Sequence, residues 1–212
     1  SQFVRRSGFP LRFIDGCWLG TGYQMADDYV AVDVEVKPIR ILTYNMYLRP
    51  ILISAAGHDH KDSRLKMFCK QRLKDFDVLC LQEVFKELNW RRERLLKKAK
   101  KAGFKYCIQT EKPFFPIFIC DAGLLILSRY PIVENDFRLY TRGIYADGVA
   151  SKGVLYAKIE AAPGRFIHVF NTHTQADYTL DPVKAAPSRE MRMVHIREYA
   201  RFVEEKTRDN PH

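Results

Sequence analysis

The chain has 212 residues, 47% of them hydrophobic, and a formal net charge of +10. The length predicts one large domain, and the apolar content is sufficient for a substantial core, with no internal repeat or low-complexity segment. The positive charge favours an acidic partner such as a membrane surface, a nucleic acid or a phosphorylated substrate.

Targeting and cross-linking signals are weak in this sequence. No apolar run approaches the roughly 18 residues of a membrane span, and residues 1–20 show no signal-peptide pattern. We therefore expect a soluble or peripheral membrane protein, and no particular compartment is indicated. The five cysteines form no C-x-x-C pair, so no disulfide framework is predicted.

Residues 1–38 are predicted to form a lead-in segment with one strand. Residues 1–28 are rich in glycine and aromatic residues, which favours little regular structure or a short hairpin. Residues 29–36 then place valines on one face and mostly polar side chains on the other, a pattern typical of a half-buried strand. Pro38 separates this strand from residues 39–212, which we assign to the main domain.

The main domain begins with strands and helices in alternation. Residues 39–44 and 77–81 are apolar and predict strands. A helix capped by Ser63 lies between them, and a second helix covers residues 86–102. This alternation predicts a layered α/β fold.

The positive charge is concentrated in and after the second helix. Residues 86–105 hold nine lysines and arginines against two glutamates. They form either a solvated helix face or a contact for an anionic surface, since each basic residue near an acidic membrane contributes about 1 kcal/mol. Further on, Phe114 and Phe115 lie between two prolines, and they either dip into a lipid interface or are buried under neighbouring loops.

The second half of the main domain is predicted to consist mainly of strands. They cover residues 104–109, 123–128, 132–140, 153–159 and 165–171. Residues 123–128 are mostly apolar, which is typical of a strand covered on both faces, and residues 132–140 should form an outer strand. The last two strands should pair as a hairpin across Pro163 and Gly164, and a helix is predicted from Ser188.

Three of the apolar strands end in functional side chains. These are Asn45, then Gln82 with Glu83, and finally Asn171 with His173. The strand ends of an α/β sheet open into a crevice, where such proteins place their chemistry. An amide, a carboxylate and an imidazole there could hold Mg²⁺ against a phosphate, because Mg²⁺ prefers oxygen ligands and keeps several waters. Imidazole is also the side chain best suited to proton transfer near neutral pH.

Each of these residues also has an ordinary structural explanation. Glu83 is either a satisfied strand-end carboxylate or a metal ligand, Asn45 could cap a turn, and His173 could be a packed histidine. In an earlier loop, His58 and His60 either stand in solvent or bind a metal if the loop is rigid. We favour function because Asn45, Glu83 and His173 end strands of one predicted sheet system and should converge on a single pocket for a cation and a phosphate.

Four short segments stand in a recognisable order along the chain. They are Thr43-Tyr-Asn45, Leu81-Gln-Glu83, Gly123-Leu-Leu-Ile-Leu-Ser-Arg-Tyr-Pro-Ile132 and Asn171-Thr-His173. This order resembles the endonuclease/exonuclease/phosphatase superfamily, the Mg²⁺-dependent phosphodiesterases related to deoxyribonuclease I. The resemblance implies an α/β (α+β) fold, a deoxyribonuclease-I-like four-layer sandwich of two mixed β-sheets flanked by helices.

Two further segments are similar to the neutral sphingomyelinases within that superfamily. They are Ala150-Ser-Lys-Gly153 and Thr172-His-Thr-Gln-Ala-Asp177. Asp147 and Lys152 match an acidic and a basic position that flank the active site of animal-type members. Lys152 would add positive charge near the phosphate, and Asp147 could pair with it. The resemblance runs from about Ile39 to Val203 and implies hydrolysis of sphingomyelin to ceramide and phosphocholine.

The resemblance also implies roles for the strand-end residues. Glu83 would be the principal Mg²⁺ ligand, with Asn45 helping to hold the metal or the phosphate. Asn171 and His173 would line the phosphate site, with His173 contacting the transferring phosphoryl group or the leaving group. Water would attack the phosphodiester in line, while Mg²⁺ polarises the phosphate and stabilises the leaving oxygen.

Two later motifs of the family do not follow in this sequence. The family continues with a G-D-x-N strand end and, near its C-terminus, a D-H pair that helps to activate the water. We therefore expect residues 39–212 to be the N-terminal portion of a catalytic domain, with the C-terminal part missing and with little or no hydrolytic activity on its own. The alternatives are a nuclease, a phosphoinositide phosphatase and a non-catalytic binding protein. Nucleic acid is the second choice of partner after sphingomyelin or another phosphodiester lipid, and no protein partner is implied.

Overall fold

The computed structural model describes most of the main domain and short pieces of the lead-in segment. The described residues are 2–3, 12–14, 17–19, 31–32, 38–50, 59–87, 90–111 and 117–208. The chain divides into two compact units, Ser1–Pro38 and Ile39–His212. The predicted membrane-contact residues Phe114 and Phe115, together with His58, lie outside the described residues. None of the helices in the described part of the chain is long and apolar enough to span a bilayer.

The described part of the first unit contains four short strands, in a segment predicted to have one strand after little regular structure or a short hairpin. They are β1 (Gln2–Phe3), β2 (Arg12–Ile14), β3 (Cys17–Leu19) and β4 (Ala31–Val32). β1 pairs with β4 and β2 pairs with β3, both in antiparallel fashion. The antiparallel pairing of β2 with β3 is compatible with the short-hairpin alternative for residues 1–28, and strands of two or three residues are too short to show an alternating pattern. Most of the predicted strand 29–36 lies outside the described residues.

The described residues of the second unit form seven strands and three α-helices. The strands are β5 (Ile41–Leu48), β6 (Val78–Val84), β7 (Tyr106–Gln109), β8 (Leu125–Ser128), β9 (Ile132–Leu139), β10 (Gly153–Ala162) and β11 (Arg165–Thr172). The helices are α1 (Lys61–Gln71), α2 (Arg91–Lys101) and α3 (Pro182–Thr207), with a 3₁₀ turn at Tyr145–Val149. The mixed α/β fold expected from the sequence is confirmed.

The strands of the second unit form two sheets with different pairing. The four-stranded sheet has the order β5-β6-β8-β7, with β5 parallel to β6 and the other neighbours antiparallel. The three-stranded sheet has the order β11-β10-β9 and is antiparallel throughout. The expectation of two mixed sheets is therefore wrong for the second sheet. Its strands are consecutive in the chain, and a short turn such as the one at Gly164 can join only antiparallel neighbours.

Hydrophobic packing sets the order of helices and sheets. One cluster joins α1 and α2 to one face of the four-stranded sheet and includes Leu65, Leu95, Leu79, Leu81, Leu125 and Leu127. A second cluster lies between the two sheets and includes Val78, Cys80, Ile126, Leu155, Ala157 and Ile159. A third packs Phe202 of α3 on the outer face of β10, against Val154 and Tyr156. All seven residues of β6 are buried because this strand faces α1 and α2 on one side and the other sheet on the opposite side.

Two helices begin earlier than the sequence predicts. The α3 helix begins at Pro182 instead of Ser188, because the Asp181 side chain caps it by accepting hydrogen bonds from the amides of Val183 and Lys184. Proline is favoured at the first helical position, so Pro182 supports this start. Similarly, α1 begins at Lys61, which places Ser63 inside the first turn rather than at the cap.

Candidate active site

Three side chains that are far apart in the sequence meet at the ends of β5, β6 and β11. The Nδ2 atom of Asn45 donates a hydrogen bond of 2.7 Å to Oε1 of Glu83. The Nε2 atom of His173 lies 3.8 Å from the same oxygen. Asn45 is exposed and Glu83 is buried, so the cluster opens to solvent on the Asn45 side. The structure thus brings the three residues together, while their roles stay predictions.

The backbone leaves regular strand geometry at Glu83. Its φ angle is 53°, in the left-handed region that costs a non-glycine residue about 1–3 kcal/mol. The next amide, that of Val84, donates to the carbonyl of Gly123 at 2.9 Å. Gly123 also has a positive φ, and a Cβ atom there would lie 3.2 Å from the Cα of Glu83. Glycine at the start of the 123–132 segment therefore lets β8 approach the strained Glu83 closely.

The Asn45 side chain orients the Glu83 carboxylate. Its Nδ2 donates to Glu83, and its Oδ1 accepts a hydrogen bond of 2.9 Å from the backbone amide of Tyr47. Only this assignment of the amide oxygen and nitrogen satisfies both partners. Direct ligation of a metal by the Asn45 oxygen stays a prediction, because that oxygen would have to share or leave its bond to Tyr47.

The two oxygens of the Glu83 carboxylate differ in their contacts. Its Oε2 atom is buried and has no hydrogen-bond partner among the residues that the structure describes. Leaving a buried polar atom without a partner costs about 1–3 kcal/mol, and more if it is charged, so a bound cation would relieve this cost. No group of three or more histidine, cysteine, aspartate or glutamate side chains forms a metal cluster within the described residues. A donor set of one carboxylate fits Mg²⁺, which takes its other oxygens from water and substrate.

A buried ion pair lies next to His173. The Nζ atom of Lys152 is 2.9 Å from Oδ1 of Asp147, donates to the carbonyl of Thr174 at 2.8 Å and lies 3.5 Å from Nδ1 of His173. The other oxygen of Asp147 accepts a hydrogen bond of 2.7 Å from the amide of Ala176. Burial lowers the pKa of Lys152, and the adjacent Asp147 carboxylate partly opposes this.

These surroundings determine the protonation of His173. Burial, and then the positive charge of Lys152, lower the pKa of His173 to about 4. The ring is therefore neutral at physiological pH. The Lys152 ammonium can only donate a hydrogen bond, so Nδ1 of His173 is the acceptor and Nε2 carries the proton. That N–H group is on the side of the ring that faces Glu83.

Asn171 links the two sheets rather than presenting a free amide. Its Oδ1 accepts a hydrogen bond of 2.6 Å from Nε2 of Gln82. Its Nδ2 donates to the carbonyls of Leu81 and Leu125 at 2.9 and 3.1 Å. The predicted contact of Asn171 with phosphate stays a prediction, and it would require one of these buried bonds to open.

Arg92 and Asp121 support the Glu83 backbone, although the sequence pattern did not indicate either residue. Arg92 is 2% exposed, donates from Nε to the carbonyl of Val84 at 2.6 Å and forms an ion pair with Asp121. Asp121 in turn accepts a hydrogen bond of 2.8 Å from the amide of Gly123. Arg92 therefore does not belong to a solvated basic face. Its position three residues before Leu95, on the buried stripe of α2, was the available signal.

The fold and this geometry define a class of protein. It is a layered α/β protein with a carboxylate, an amide and an imidazole gathered where strands of two sheets end. Residues 42–211 match the model of the Endonuclease/Exonuclease/phosphatase family, and the chain belongs to that family.

Sphingomyelinases are among the similar proteins. A sphingomyelinase of Dictyostelium discoideum is 35% identical over 161 residues, which cover 65% of this chain and 35% of that protein. The crystal structure of SmcL matches with a TM-score of 0.67 at 26% identity, covering 79% of this chain and 58% of SmcL. A mutant beta toxin of Staphylococcus aureus with bound magnesium ions matches with a TM-score of 0.67 at 24% identity, covering 80% of this chain and 60% of the toxin. The chain spans less than two thirds of each, and the resemblance to the family and to its sphingomyelinases is confirmed.

Proposed function

We propose that this chain is part of a Mg²⁺-dependent phosphodiesterase that hydrolyses sphingomyelin to ceramide and phosphocholine. The observation that supports this most directly is the cluster of Asn45, Glu83 and His173, with Oε2 of Glu83 buried and unpartnered among the described residues. Similarity to proteins named sphingomyelinases supports the choice of substrate. The magnesium ions of the beta toxin support the choice of metal.

In this proposal Glu83 holds the metal through Oε2, while Asn45 keeps Oε1 in place. Bound Mg²⁺ would supply a Lewis acid that polarises the phosphate and stabilises the leaving oxygen. The left-handed backbone of Glu83 turns the carboxylate out of the strand. Arg92, paired with Asp121, stabilises that backbone conformation through its hydrogen bond to the carbonyl of Val84. These residues position the metal and balance its charge, and none of them takes part in bond breaking.

His173 and Lys152 provide the polar contacts to the phosphate side. The neutral His173 ring carries its proton on Nε2 and can donate it as a hydrogen bond to a phosphoryl oxygen or to the leaving group. Lys152 keeps Nδ1 occupied and adds a buried positive charge, which is worth more than an exposed one because little water screens it. Asp147 fixes Lys152, and Asn171 acts as a positioning residue that ties the end of β11 to β6 and β8.

The proposal extends to the fold and the partners of the whole protein. The order of helices, sheet, sheet and helix is, in this interpretation, a deoxyribonuclease-I-like four-layer sandwich. The chain spans 35% of the Dictyostelium sphingomyelinase and 58% of SmcL, so the activity is proposed for the natural protein that contains these residues. Its substrate is a bilayer lipid, and a membrane surface is therefore its partner.

Metal binding tests the first step of the proposal. Isothermal titration of the 212-residue chain with MgCl₂ should show one site, and Glu83→Gln should weaken it at least about tenfold, or by about 1.4 kcal/mol. Glu93→Gln, which changes an exposed carboxylate on α2, is the matched control and should leave the affinity unchanged. Equal affinities for the Glu83→Gln and Glu93→Gln variants would rule out Glu83 as the ligand.

Product analysis tests the substrate. The natural protein should release phosphocholine from labelled sphingomyelin only with Mg²⁺ present. Cleavage of DNA, or release of phosphate from inositol lipids, without phosphocholine release would assign the chain to a nuclease or a phosphoinositide phosphatase. Metal binding with no hydrolysis of any of the three would indicate a non-catalytic binding protein.

A further inference from the structure

Four apolar side chains stand exposed beside the candidate active site. Tyr145, Tyr178, Leu180 and Val183 are 62%, 52%, 101% and 79% exposed, and we call them the Leu180 patch. Tyr145, Tyr178 and Val183 line a groove of about 420 Å³, and the two tyrosine rings pack edge to face with their centroids 6.2 Å apart. Large apolar side chains that cluster on the surface mark interaction sites, whereas single ones are ordinary.

The Leu180 patch is continuous with the active site. Tyr145 begins the 3₁₀ turn that carries Asp147, and Asp147 contacts Lys152, which contacts His173. The side chain of Tyr178 hydrogen-bonds with that of Asp147, so its hydroxyl group is on the side of the active site. Tyr145 has a φ of 55°, a strained conformation for a tyrosine of the kind that clusters at functional sites.

The basic end of α2 lies at the opposite end of β6 from Glu83. Arg92, near the start of α2, bonds to the last residue of β6, whereas the carbonyl of Ala102, just after α2, accepts from Arg129. The amide of Arg129 donates to the carbonyl of Asp77, immediately before β6. A strand of this length spans about 20 Å. The exposed lysines of α2, namely Lys97, Lys98, Lys100 and Lys101, are therefore remote from the rim of the active site.

The charges around the Leu180 patch are paired with each other. Lys184 lies 3.9 Å from Asp181, and Arg189 lies 3.7 Å from Asp177. Asp177 also forms an ion pair with Arg192, so these five charges sum to +1, and the patch offers apolar and aromatic surface with little net electrostatic attraction. This combination suits a zwitterionic bilayer better than a strongly anionic surface or a nucleic acid, both of which need excess positive charge.

We propose that the Leu180 patch is the surface with which the protein meets a bilayer of zwitterionic lipids. The inference rests on the proposed function, because a sphingomyelin headgroup remains anchored in its bilayer and the rim of the active site must touch that bilayer. Tyr145 and Tyr178 lie at headgroup level, where tyrosine is favoured, and Leu180 and Val183 enter the acyl region.

Vesicle binding tests the proposal without any hydrolysis. The 212-residue chain, in EDTA, is co-sedimented with vesicles of sphingomyelin and phosphatidylcholine. We expect Leu180→Asp and Val183→Asp each to weaken the partition coefficient about tenfold, or by about 1.4 kcal/mol, with little dependence on salt. Ile196→Asp, on the same helix as Val183 and 43% exposed, is the matched control and should bind like the unchanged chain.

Three results would overturn the proposal. The first is equal binding by the Leu180→Asp and Ile196→Asp variants. The second is binding that requires phosphatidylserine and is lost in Lys100→Glu/Lys101→Glu, which would assign the membrane contact to α2. The third is a change from dimer to monomer in Leu180→Asp with vesicle binding unchanged, which would make the patch an interface between copies. Magnesium titration of the unchanged chain separates the two proposals: vesicle binding that depends on Leu180 in a chain without a Mg²⁺ site would retain the patch and reject the proposed function.

Discussion

Replacing Arg92 with methionine tests whether a buried cation supports the backbone of Glu83. Methionine fills much of the same apolar space but donates no hydrogen bond. The change removes the 2.6 Å bond to the carbonyl of Val84, the 3.4 Å bond to the carbonyl of Thr110 and the ion pair with Asp121. It leaves the Asp121 carboxylate, which is 1% exposed, without its cation.

The expected cost of Arg92→Met is about 4 kcal/mol of unfolding free energy at pH 7. Removing one partner of a buried ion pair costs about 3–5 kcal/mol, and the lost bond to Val84 is part of that cost because it belongs to the same side chain. Burial already raises the pKa of Asp121 to about 6, although Arg92 opposes this. Without Arg92 the pKa rises further, so the carboxyl group is protonated in the folded variant at pH 5 and the loss there is smaller.

Chemical unfolding, monitored by circular dichroism at pH 7 and pH 5, measures this cost. Arg94→Met on the same helix is the matched control, since that side chain is 65% exposed and its ion pair with Asp62 is worth at most about 1 kcal/mol. Arg92→Met should also weaken Mg²⁺ binding, and Arg92→Met/Asp121→Leu should recover stability by removing the unpaired charge. A loss at pH 7 no larger than that of Arg94→Met would refute the supporting role of Arg92.

Three further predictions concern His173 and Asn171. Lys152→Met should raise the pKa of His173 from about 4 toward 6.5 without reaching it, because burial, the larger cause, remains; an NMR titration measures this, with His168 as the internal reference, and an unchanged pKa would contradict the contact. The pKa of His173 is lower in the folded chain than in the unfolded chain, so the unfolded chain binds this proton more readily. The free energy of unfolding should therefore fall as the pH drops from 6.5 toward 4, and it should fall less in the His173→Gln variant. Asn171→Ala should cost about 3 kcal/mol, at about 1 kcal/mol for each of three bonds, against almost nothing for the exposed Asn135→Ala; equal unfolding midpoints for these two variants would show that Asn171 does not link the sheets.

Apolar strands with polar tips were the most informative feature of the sequence. They placed Asn45 and Glu83 next to each other because the strands that carry them are parallel neighbours in register, with Asn45 opposite Gln82. The hairpin of β10 and β11 and the burial of β8 also followed from local patterns. In each case the chemical signal lies within one strand, and the structural consequence lies within that strand or between two strands that are consecutive in the chain.

Features that depend on tertiary contacts could not be predicted from the sequence in the same way. Arg92 belongs to a helix crowded with basic residues, and only its alignment with Leu95 and Ala99 distinguishes it from the exposed ones. The left-handed backbone of Glu83 has no marker in its own residue type, since glutamate is not favoured there. Gly123 does carry that information, but the glycine is forty residues downstream and is recognised only when β8 lies against β6.

The candidate site depends on contacts between sheets more than on either sheet alone. Asn45 and Glu83 come from the four-stranded sheet, whereas His173 follows β11 of the other one. The hydrogen bond from Gln82 to Asn171 joins the two tips one residue before Glu83 and two residues before His173. A small shift of one sheet over the other would therefore lengthen the 3.8 Å distance between His173 and Glu83 before it disturbed either hydrophobic core. Because the same buried amides hold the sheets and align the site, variants at Gln82 or Asn171 should lose site geometry and stability together, whereas variants at Glu83 should lose metal binding alone.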